Sequence, residues 1–331
     1  MKYIAMLMPL HQQERIFAEK YYEKLRSWGR IRLYDSESFA DANHVKEFLT
    51  GADVIVTTWG SPKLTKEYLD VCPDLKLVIH AAGTVKGIVD EEEFLRRGIR
   101  VTNAAVALGE GVAETALGFA ISASKGFYQL AQSTRVGEWN EQKRLVLDFY
   151  DITVGVISAG FVGRHFIKLL QNFNVDVLVY DPYITAEAAR ALGAEKAELD
   201  ELLRRSDVIS VHAPSIPATD NMLSREKLKL IRDGAILINT SRGSVIEEPA
   251  MIEELKTGRF FACIDVTSPE PPAKDSDLRT LPNVVLTPHI AGAVNNGLKR
   301  IAKHVCEELD RFETDGSLRT EVDLNKLSML A

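Results

Sequence analysis

Just short of the chain's midpoint, ITVGVISAGFVGRHFIKLLQNF forms an apolar strand that breaks at small residues and restarts as an amphipathic helix. A second strand, VDVLVYD, follows and ends in Asp181. Strand, glycine turn, helix, strand and acid in that order confine the segment to a parallel βαβ unit of the dinucleotide-binding type. That pattern asks for Gly-x-Gly-x-x-Gly, and the chain offers Ser158, Gly160 and Gly163. A cofactor-binding unit starting this late implies that another domain is built first.

Each position has a physical task. Gly160 would let the backbone approach a pyrophosphate, and Gly163 would let the helix pack closely on its strand. The helix, opening at Phe161 and Val162, presents free N–H groups and a positive dipole end to the phosphates. Ser158 stands where a glycine usually makes the tight turn. It can do so if φ stays negative, and its hydroxyl could donate to a phosphate. By itself such a turn suits any α/β fold. Asp181 narrows the choice: a carboxylate ending the second strand can accept from both ribose hydroxyls of NAD and would repel a 2′-phosphate, which argues against NADP. The competing reading is an aspartate capping the loop YDPY.

The flanking sequence alternates strand and helix. KYIAMLM, IRLYD, DVIVTT and LKLVIHA are short β-rich runs separated by QQERIFAEKYYEKLRSWG, NHVKEFLTG and LTKEYLDVC. The first spacer sets Ile16, Phe17, Tyr21, Leu25 and Trp28 on one side of a single helix, with Gly29 as its stop. From Thr153 the alternation resumes through DVISVHAP, AILINT, FFACIDV and VVLTPH. This predicts α/β architecture with mostly parallel sheets covered on both faces. A long helix, EGVAETALGFAISASKGFYQLAQ, is expected from near Gly109. It is small and apolar almost all round, as burial within the monomer or a dimer contact would require. The last helix is expected from roughly Ala293 to Glu313.

Composition excludes several classes. With 331 residues there is room for two domains, and 46% hydrophobic with 26% charged residues is a globular balance. A formal charge of -7 and no basic run argue against nucleic acid as a partner. The opening MKYIAMLMPL has an apolar run too short for a signal peptide and is read as a first strand. No other stretch approaches the roughly 20 apolar residues of a membrane span. Three scattered cysteines suggest neither a disulfide framework nor a metal site. A cytoplasmic location, with no membrane partner, is expected.

Three further strand ends carry chemistry. INTSRG delivers Arg242, with Gly243 permitting a sharp exit; IDVTSPEP delivers Asp265 and then Glu270; LTPHIAG delivers His289. Ligands of open α/β sheets bind outside the carboxyl ends of the strands. A guanidinium there could fork onto a 2-keto acid's carboxylate and polarise the adjacent carbonyl. An imidazole could protonate the carbonyl oxygen as hydride arrives, with a neighbouring carboxylate holding the ring's orientation.

With these motifs in place, the chain resembles the D-isomer-specific 2-hydroxyacid dehydrogenases, the family of D-lactate, glycerate and phosphoglycerate dehydrogenases. The match runs from about residue 50 to about residue 305. It rests on VTNAA, VAE at 112–114, RVGEW, the glycine turn with YDPY, SDVISVHAP, INTSRGSVIEE, GRFFACIDV and NVVLTPHIAG. The resemblance implies two doubly wound parallel-sheet domains, a Rossmann NAD-binding domain (103–292) inserted into a flavodoxin-like substrate domain (1–102 and 293–331). It implies catalytic roles for Arg242, Glu270 and His289 and a nicotinamide contact for Asp265. His212, Ala213, Thr240 and Gly292 would line the cofactor. It also implies a homodimer formed through the cofactor domains. The chain departs from the family in its substrate loop, HAAGTVKGIVD. Gly83 and Asp90 fit the pattern, Val85 replaces a glycine, and Gly87-Ile88 replaces an Asp-Asn pair. Gly83, Thr84 and Lys86 are the candidate substrate contacts, Lys86 either facing an anion or simply solvated. Trp59 either narrows the same pocket or packs in the core.

The expected function is NAD-dependent interconversion of a 2-keto acid and a D-2-hydroxy acid. Phosphoglycerate is one candidate substrate, although the 59–62 loop has no evident basic phosphate clamp. A non-catalytic NAD-sensing scaffold of the same fold is a second reading, weakened by the Arg242, Glu270 and His289 set. A formate dehydrogenase is a third, weakened by Glu270 where that branch carries glutamine.

Overall fold

The computed structural model describes residues 2–139 and 146–329. Its contacts divide the chain into one unit of Met1–Leu108 with Ala293–Ala331 and another of Gly109–Gly292. The first boundary lies inside a helix rather than after residue 102. Asn103 still belongs to a strand of the first unit, and Ala104 and Ala107 pack in that unit's core, so they stay with it.

The first unit holds five parallel strands: β1 (Lys2–Leu7), β2 (Gly29–Leu33), β3 (Val54–Thr57), β4 (Leu77–His80) and β5 (Arg100–Asn103). Their order is β2-β1-β3-β4-β5, the flavodoxin-like winding. Ala5 and Leu7 of β1 face one core with Ile55, Val78 and Val101. Ile4 and Met6 face the other, with Val54, Val56 and Ile79. Burial on both faces is why the inner strands β3 and β4 and the end of β1 are apolar rather than alternating, whereas the edge strand β2, GRIRL, buries none of its residues. The returning helix Lys299–Asp315 covers the second face with Ile301, Val305 and Leu309. It starts later than the sequence suggests, because Asn295–Leu298 form a separate 3-10 turn.

The second unit holds seven parallel strands: β6 (Thr153–Ile157), β7 (Asp176–Tyr180), β8 (Glu195–Lys196), β9 (Val208–Val211), β10 (Ile236–Asn239), β11 (Phe261–Ile264) and β12 (Val284–Leu286). Their order, β12-β11-β10-β9-β6-β7-β8, is doubly wound, with its reversal between β6 and β9. Both faces again bury apolar side chains, Ile157, Ile209 and Leu237 on one and Val156, Val179 and Ile238 on the other.

Four expectations change. The expected single helix after β1 is two, Leu10–Ile16 and Glu19–Arg26, separated by extended backbone at Phe17 and Ala18. Gly29 does not stop it. It opens β2, where a Cβ would meet the Lys2 carbonyl oxygen at 2.5 Å, so only glycine lets the two strands pair. The long helix starts at Ala105, not Gly109, and ends at Ser124; Gly126, at φ +62°, separates it from Phe127–Arg135. Contrary to the sequence reading, Ala105–Ser124 is long and apolar enough to cross a membrane by length and composition. Its Ala113, Ala116, Phe119 and Ala120 instead pack in the second unit's core.

Candidate active site

Within the second unit, the turn after β6 is built by three residues of different function. Ser158 sits at φ +79°, so the expectation of a negative φ is wrong. A side chain there costs about 1–2 kcal/mol relative to right-handed backbone. Its hydroxyl lies 3.4 Å from Asp181 Oδ2, at the outer limit of a hydrogen bond. Gly160 caps the helix Phe161–Leu170, and a Cβ there would meet nothing nearer than the Ser158 hydroxyl at 3.9 Å. Gly163 is the opposite case: its Cβ would lie 2.0 Å from the Ser158 carbonyl oxygen. One glycine leaves space for a ligand, the other lets helix and strand touch.

Asp181 follows β7 and does both things weighed for it. Oδ2 accepts from the Ala159 N–H at 2.8 Å and Oδ1 from the Tyr183 N–H at 2.8 Å, which caps the loop and the turn together. A carboxylate has about four acceptor positions, so ribose hydroxyls can still be received. The helix carries no acidic residue in its own first turn, so no side chain of that turn competes with a phosphate for its N–H groups.

His212 and Thr240 follow the paired strands β9 and β10, and both are buried. His212 Nε2 meets the Ser210 hydroxyl at 3.0 Å, while its Nδ1 and the Thr240 hydroxyl have no partner. Burial lowers the His212 pKa to about 3, so the ring is neutral. Buried polar atoms without partners are costly and mark a place where a ligand completes the bonding. Ala213 is buried beside them, and Gly292 lies 3.9 Å (from its would-be Cβ) from Val112. Open space at Gly160, an anion-ready helix start and two orphaned polar atoms fit a dinucleotide.

The three candidate catalytic side chains also lie in this unit, all solvent-exposed. His289 Nδ1 is 2.6 Å from Glu270 Oε1. With Nδ1 so engaged, Nε2 is the nitrogen left to exchange a proton. His289 itself sits at φ +53°, its backbone N–H donating to the carbonyls of Asp265 and Thr287 at 3.0 Å each. Asp265, 1% exposed, shapes this loop: Oδ1 accepts from the Thr287 hydroxyl at 2.5 Å and the Ile290 N–H at 2.9 Å, and Oδ2 from the Ala291 N–H at 2.8 Å. Arg242 leaves β10 with its Nη1 donating to the Ser241 carbonyl at 2.7 Å.

Two supports were not visible in the sequence reading. Glu248 accepts from the Ser268 N–H at 2.8 Å, fixing the loop that carries Glu270, and burial raises its pKa. Gly243 is not needed for a positive φ; its Cβ would lie 2.1 Å from the Thr267 carbonyl carbon and 2.7 Å from the Ser268 nitrogen. The Arg242 turn therefore rests directly on the Glu270 loop.

In the first unit, the candidate substrate residues follow β3 and β4. Trp59 is 40% exposed, so it is not a core residue. Val85 and Ile88 are buried and close a turn in which the Ile88 N–H donates to the Val85 carbonyl at 2.9 Å. Lys86 and Gly87 form its exposed tip, and the Lys86 N–H reaches the Thr84 hydroxyl at 3.4 Å. The valine and isoleucine that break the family pattern are thus anchors that hold Lys86 out. Gly83 lies 3.8 Å (would-be Cβ) from Leu108. No group of three or more His, Cys, Asp or Glu able to hold a metal occurs among the described residues.

The site makes one sharp statement about Ser158. Ser158→Gly is expected to stabilise the protein by about 0.5 kcal/mol, the strain relieved less the chain freedom a glycine loses on folding. NADH is expected to bind at least as tightly. A lower Tm or a weaker NADH Kd, read by nicotinamide fluorescence, would show that the hydroxyl is needed.

Comparison with known proteins agrees with this arrangement. Residues 117–291 match the family model described as D-isomer specific 2-hydroxyacid dehydrogenase, NAD binding domain. D-3-phosphoglycerate dehydrogenase of Methanocaldococcus jannaschii is 34% identical over 285 residues, 86% of this chain and 53% of that one. Glyoxylate reductase of Thermococcus litoralis is 32% identical over 302 residues, 89% of this chain and 88% of that one. The structure of D-lactate dehydrogenase from Aquifex aeolicus, complexed with NAD and lactic acid, superimposes with a TM-score of 0.69 at 26% identity, covering 95% of this chain and 96% of that one. The chain spans about half the length of the phosphoglycerate dehydrogenases it matches.

Proposed function

The chain belongs to the D-isomer specific 2-hydroxyacid dehydrogenase family, and from that premise we propose that it interconverts a 2-keto acid and the matching D-2-hydroxy acid. The observation that carries this reading is the 2.6 Å pairing of His289 with Glu270 beside the Arg242 turn. A protein that only sensed the cofactor would have no use for an oriented proton donor. The nicotinamide, when bound, would supply the hydride as NADH in the reducing direction and accept it as NAD+ in the reverse.

The chain's residues do the rest. Ser158, Gly160, Phe161 and Val162 receive the pyrophosphate, Gly163 serves the same turn by letting the helix pack against its strand, and Asp181 receives the adenosine ribose. His212, Ala213, Thr240, Asp265 and Gly292 line the remainder of the cofactor. Arg242 forks onto the substrate carboxylate and polarises the carbonyl. His289 donates a proton from Nε2 to the carbonyl oxygen during reduction and takes one from the hydroxyl during oxidation. Glu270 keeps the ring in the tautomer and orientation this requires.

Within the first unit, the turn at Thr84–Gly87 offers backbone N–H groups and the exposed Lys86 as a candidate contact for an anionic group. Lys86→Ala is expected to raise KM for an anionic 2-keto acid several-fold with kcat little changed, measured under saturating NADH. An unchanged KM would leave Lys86 a solvated surface residue.

The relatives named above include a phosphoglycerate dehydrogenase and a glyoxylate reductase, which sets the substrate panel. Glyoxylate, hydroxypyruvate, pyruvate, phenylpyruvate and 3-phosphohydroxypyruvate, each with NADH and NADPH, should show NADH-dependent turnover of at least one. Preference for NADPH would contradict the role given to Asp181, and no turnover of any would favour the sensing scaffold.

A homodimer is the assembly we propose. Helix Phe127–Arg135 buries none of its residues, and Phe127, Val136 and Trp139 are exposed. Together with the edge strand β12, Phe127, Tyr128 and Ala131 line a groove with Phe261 and Pro282, with Arg135 and Arg279 also in its lining. A second copy of the same face is the occupant we propose, because a two-fold dimer buries the same patch on both subunits. Sedimentation should give twice the monomer mass; a monomer at micromolar concentration would contradict it.

A further inference from the structure

Arg242 is exposed, yet the turn beneath it is held by a side chain that is 1% exposed. Asn239 ends β10, flanked by β9 on one side and β11 on the other. Its Oδ1 accepts from the Ser241 N–H at 3.0 Å and from the Ser241 hydroxyl at 2.8 Å. Its Nδ2 donates to the Arg242 carbonyl at 2.9 Å. One planar amide therefore receives two donors and supplies one, all within the four residues that end in the guanidinium-bearing position.

The backbone of Asn239 is itself fixed. Its carbonyl accepts from the Asp265 N–H at 3.0 Å, tying it to the strand end that organises the His289 loop. Arg242 Nη1 leans on the Ser241 carbonyl, so the guanidinium takes its position from the same turn. Only an amide of this length satisfies the set. A carboxylate cannot donate and would place negative charge against the Arg242 carbonyl. An apolar side chain would leave three polar groups of the turn without their partner in a partly buried place.

We infer that Asn239 is a positioning residue for the reaction, acting through Arg242 by fixing the turn that aims its guanidinium at the substrate. This rests on the reading of Arg242 as the group that binds the 2-keto acid. A misplacement of about 1 Å in such a group costs on the order of 10²-fold in rate. Asn239 touches neither substrate nor cofactor in this account, so its loss should vanish once Arg242 is gone.

A double-mutant cycle reads this directly. kcat/KM for the best 2-keto acid is measured for the wild type, Asn239→Ala, Arg242→Ala and the double variant, with the NADH Kd from nicotinamide fluorescence for each. Asn239→Ala is expected to lose on the order of 10²-fold in kcat/KM with NADH affinity within about twofold. In the Arg242→Ala background the same change should cost less than about threefold. Asn239→Asp, nearly isosteric, keeps the two acceptor contacts and should show a smaller loss with the same dependence on Arg242; it serves the cycle if the alanine variant does not fold. Equal losses in both backgrounds, or NADH affinity falling in step with kcat/KM, overturn this inference and leave the role of Arg242 standing. Full activity of Arg242→Ala overturns that role, and this inference with it.

Discussion

His289→Ala is expected to lower kcat/KM for the 2-keto acid by about 10²–10⁴-fold, the usual worth of a positioned general acid, while the NADH Kd stays within about twofold. The separation follows from the geometry. The ring pairs with Glu270 at 2.6 Å, but the loop's shape is set by Asp265 and by backbone bonds that an alanine keeps. The left-handed backbone at residue 289, φ +53°, is a strained state held by those same bonds. Alanine there pays the strain as histidine does, so the fold should survive within about 1 kcal/mol. Loss of NADH binding together with activity would mean that the ring supports the cofactor rather than the proton transfer.

The second large effect belongs to Gly243, which no proton-transfer argument would pick out. A Cβ at this position would sit 2.1 and 2.2 Å from the Thr267 carbonyl carbon and oxygen, and 2.7 Å from the Ser268 nitrogen. All three are backbone atoms, so no side chain can swing away to make room. Gly243→Ala must therefore push the Arg242 turn and the Glu270 loop apart. Overpacking of this sort costs about 1–3 kcal/mol in stability, and displacing the loops that carry the proposed Arg242 and Glu270 should cost on the order of 10²-fold or more in kcat/KM. Thermal melts and steady-state kinetics on the same preparation check both numbers. An alanine variant with wild-type kcat/KM would show that the contact between the two loops does not matter to the reaction.

Much of this was legible in the sequence because its causes are local. A strand buried on both faces must be apolar throughout, so both sheets could be seen in the alternation. Gly163 could be assigned to close packing and Gly160 to ligand approach from spacing alone, and the would-be Cβ distances of 2.0 and 3.9 Å match those two roles. What was hidden depends on partners distant along the chain. Ser158 adopts φ +79° because the turn demands it, a demand the residue type does not reveal. Gly29 looked like a helix stop because its neighbour in space, Lys2, is at the start of the chain. Gly126 marks a real break, at φ +62°, while Gly109, Gly111 and Gly118 in the same stretch do not, so glycine alone is no signal there. Asn239 did carry one: an asparagine three residues before a charged residue at a strand end, where an amide can bond its own turn. Glu248 could not be found this way, since its partner Ser268 lies across the loop.

The central claim is that this chain transfers hydride to C2 of a 2-keto acid with a proton supplied by His289. The most direct measurement uses NADH deuterated at both C4 positions with the best 2-keto acid, followed by mass and chiral analysis of the product. The account predicts a D-2-hydroxy acid with one deuterium at C2 from the wild type, and almost none formed by His289→Ala over the same time. An unlabelled or L-configured product, or NADH that binds without any turnover, would contradict it.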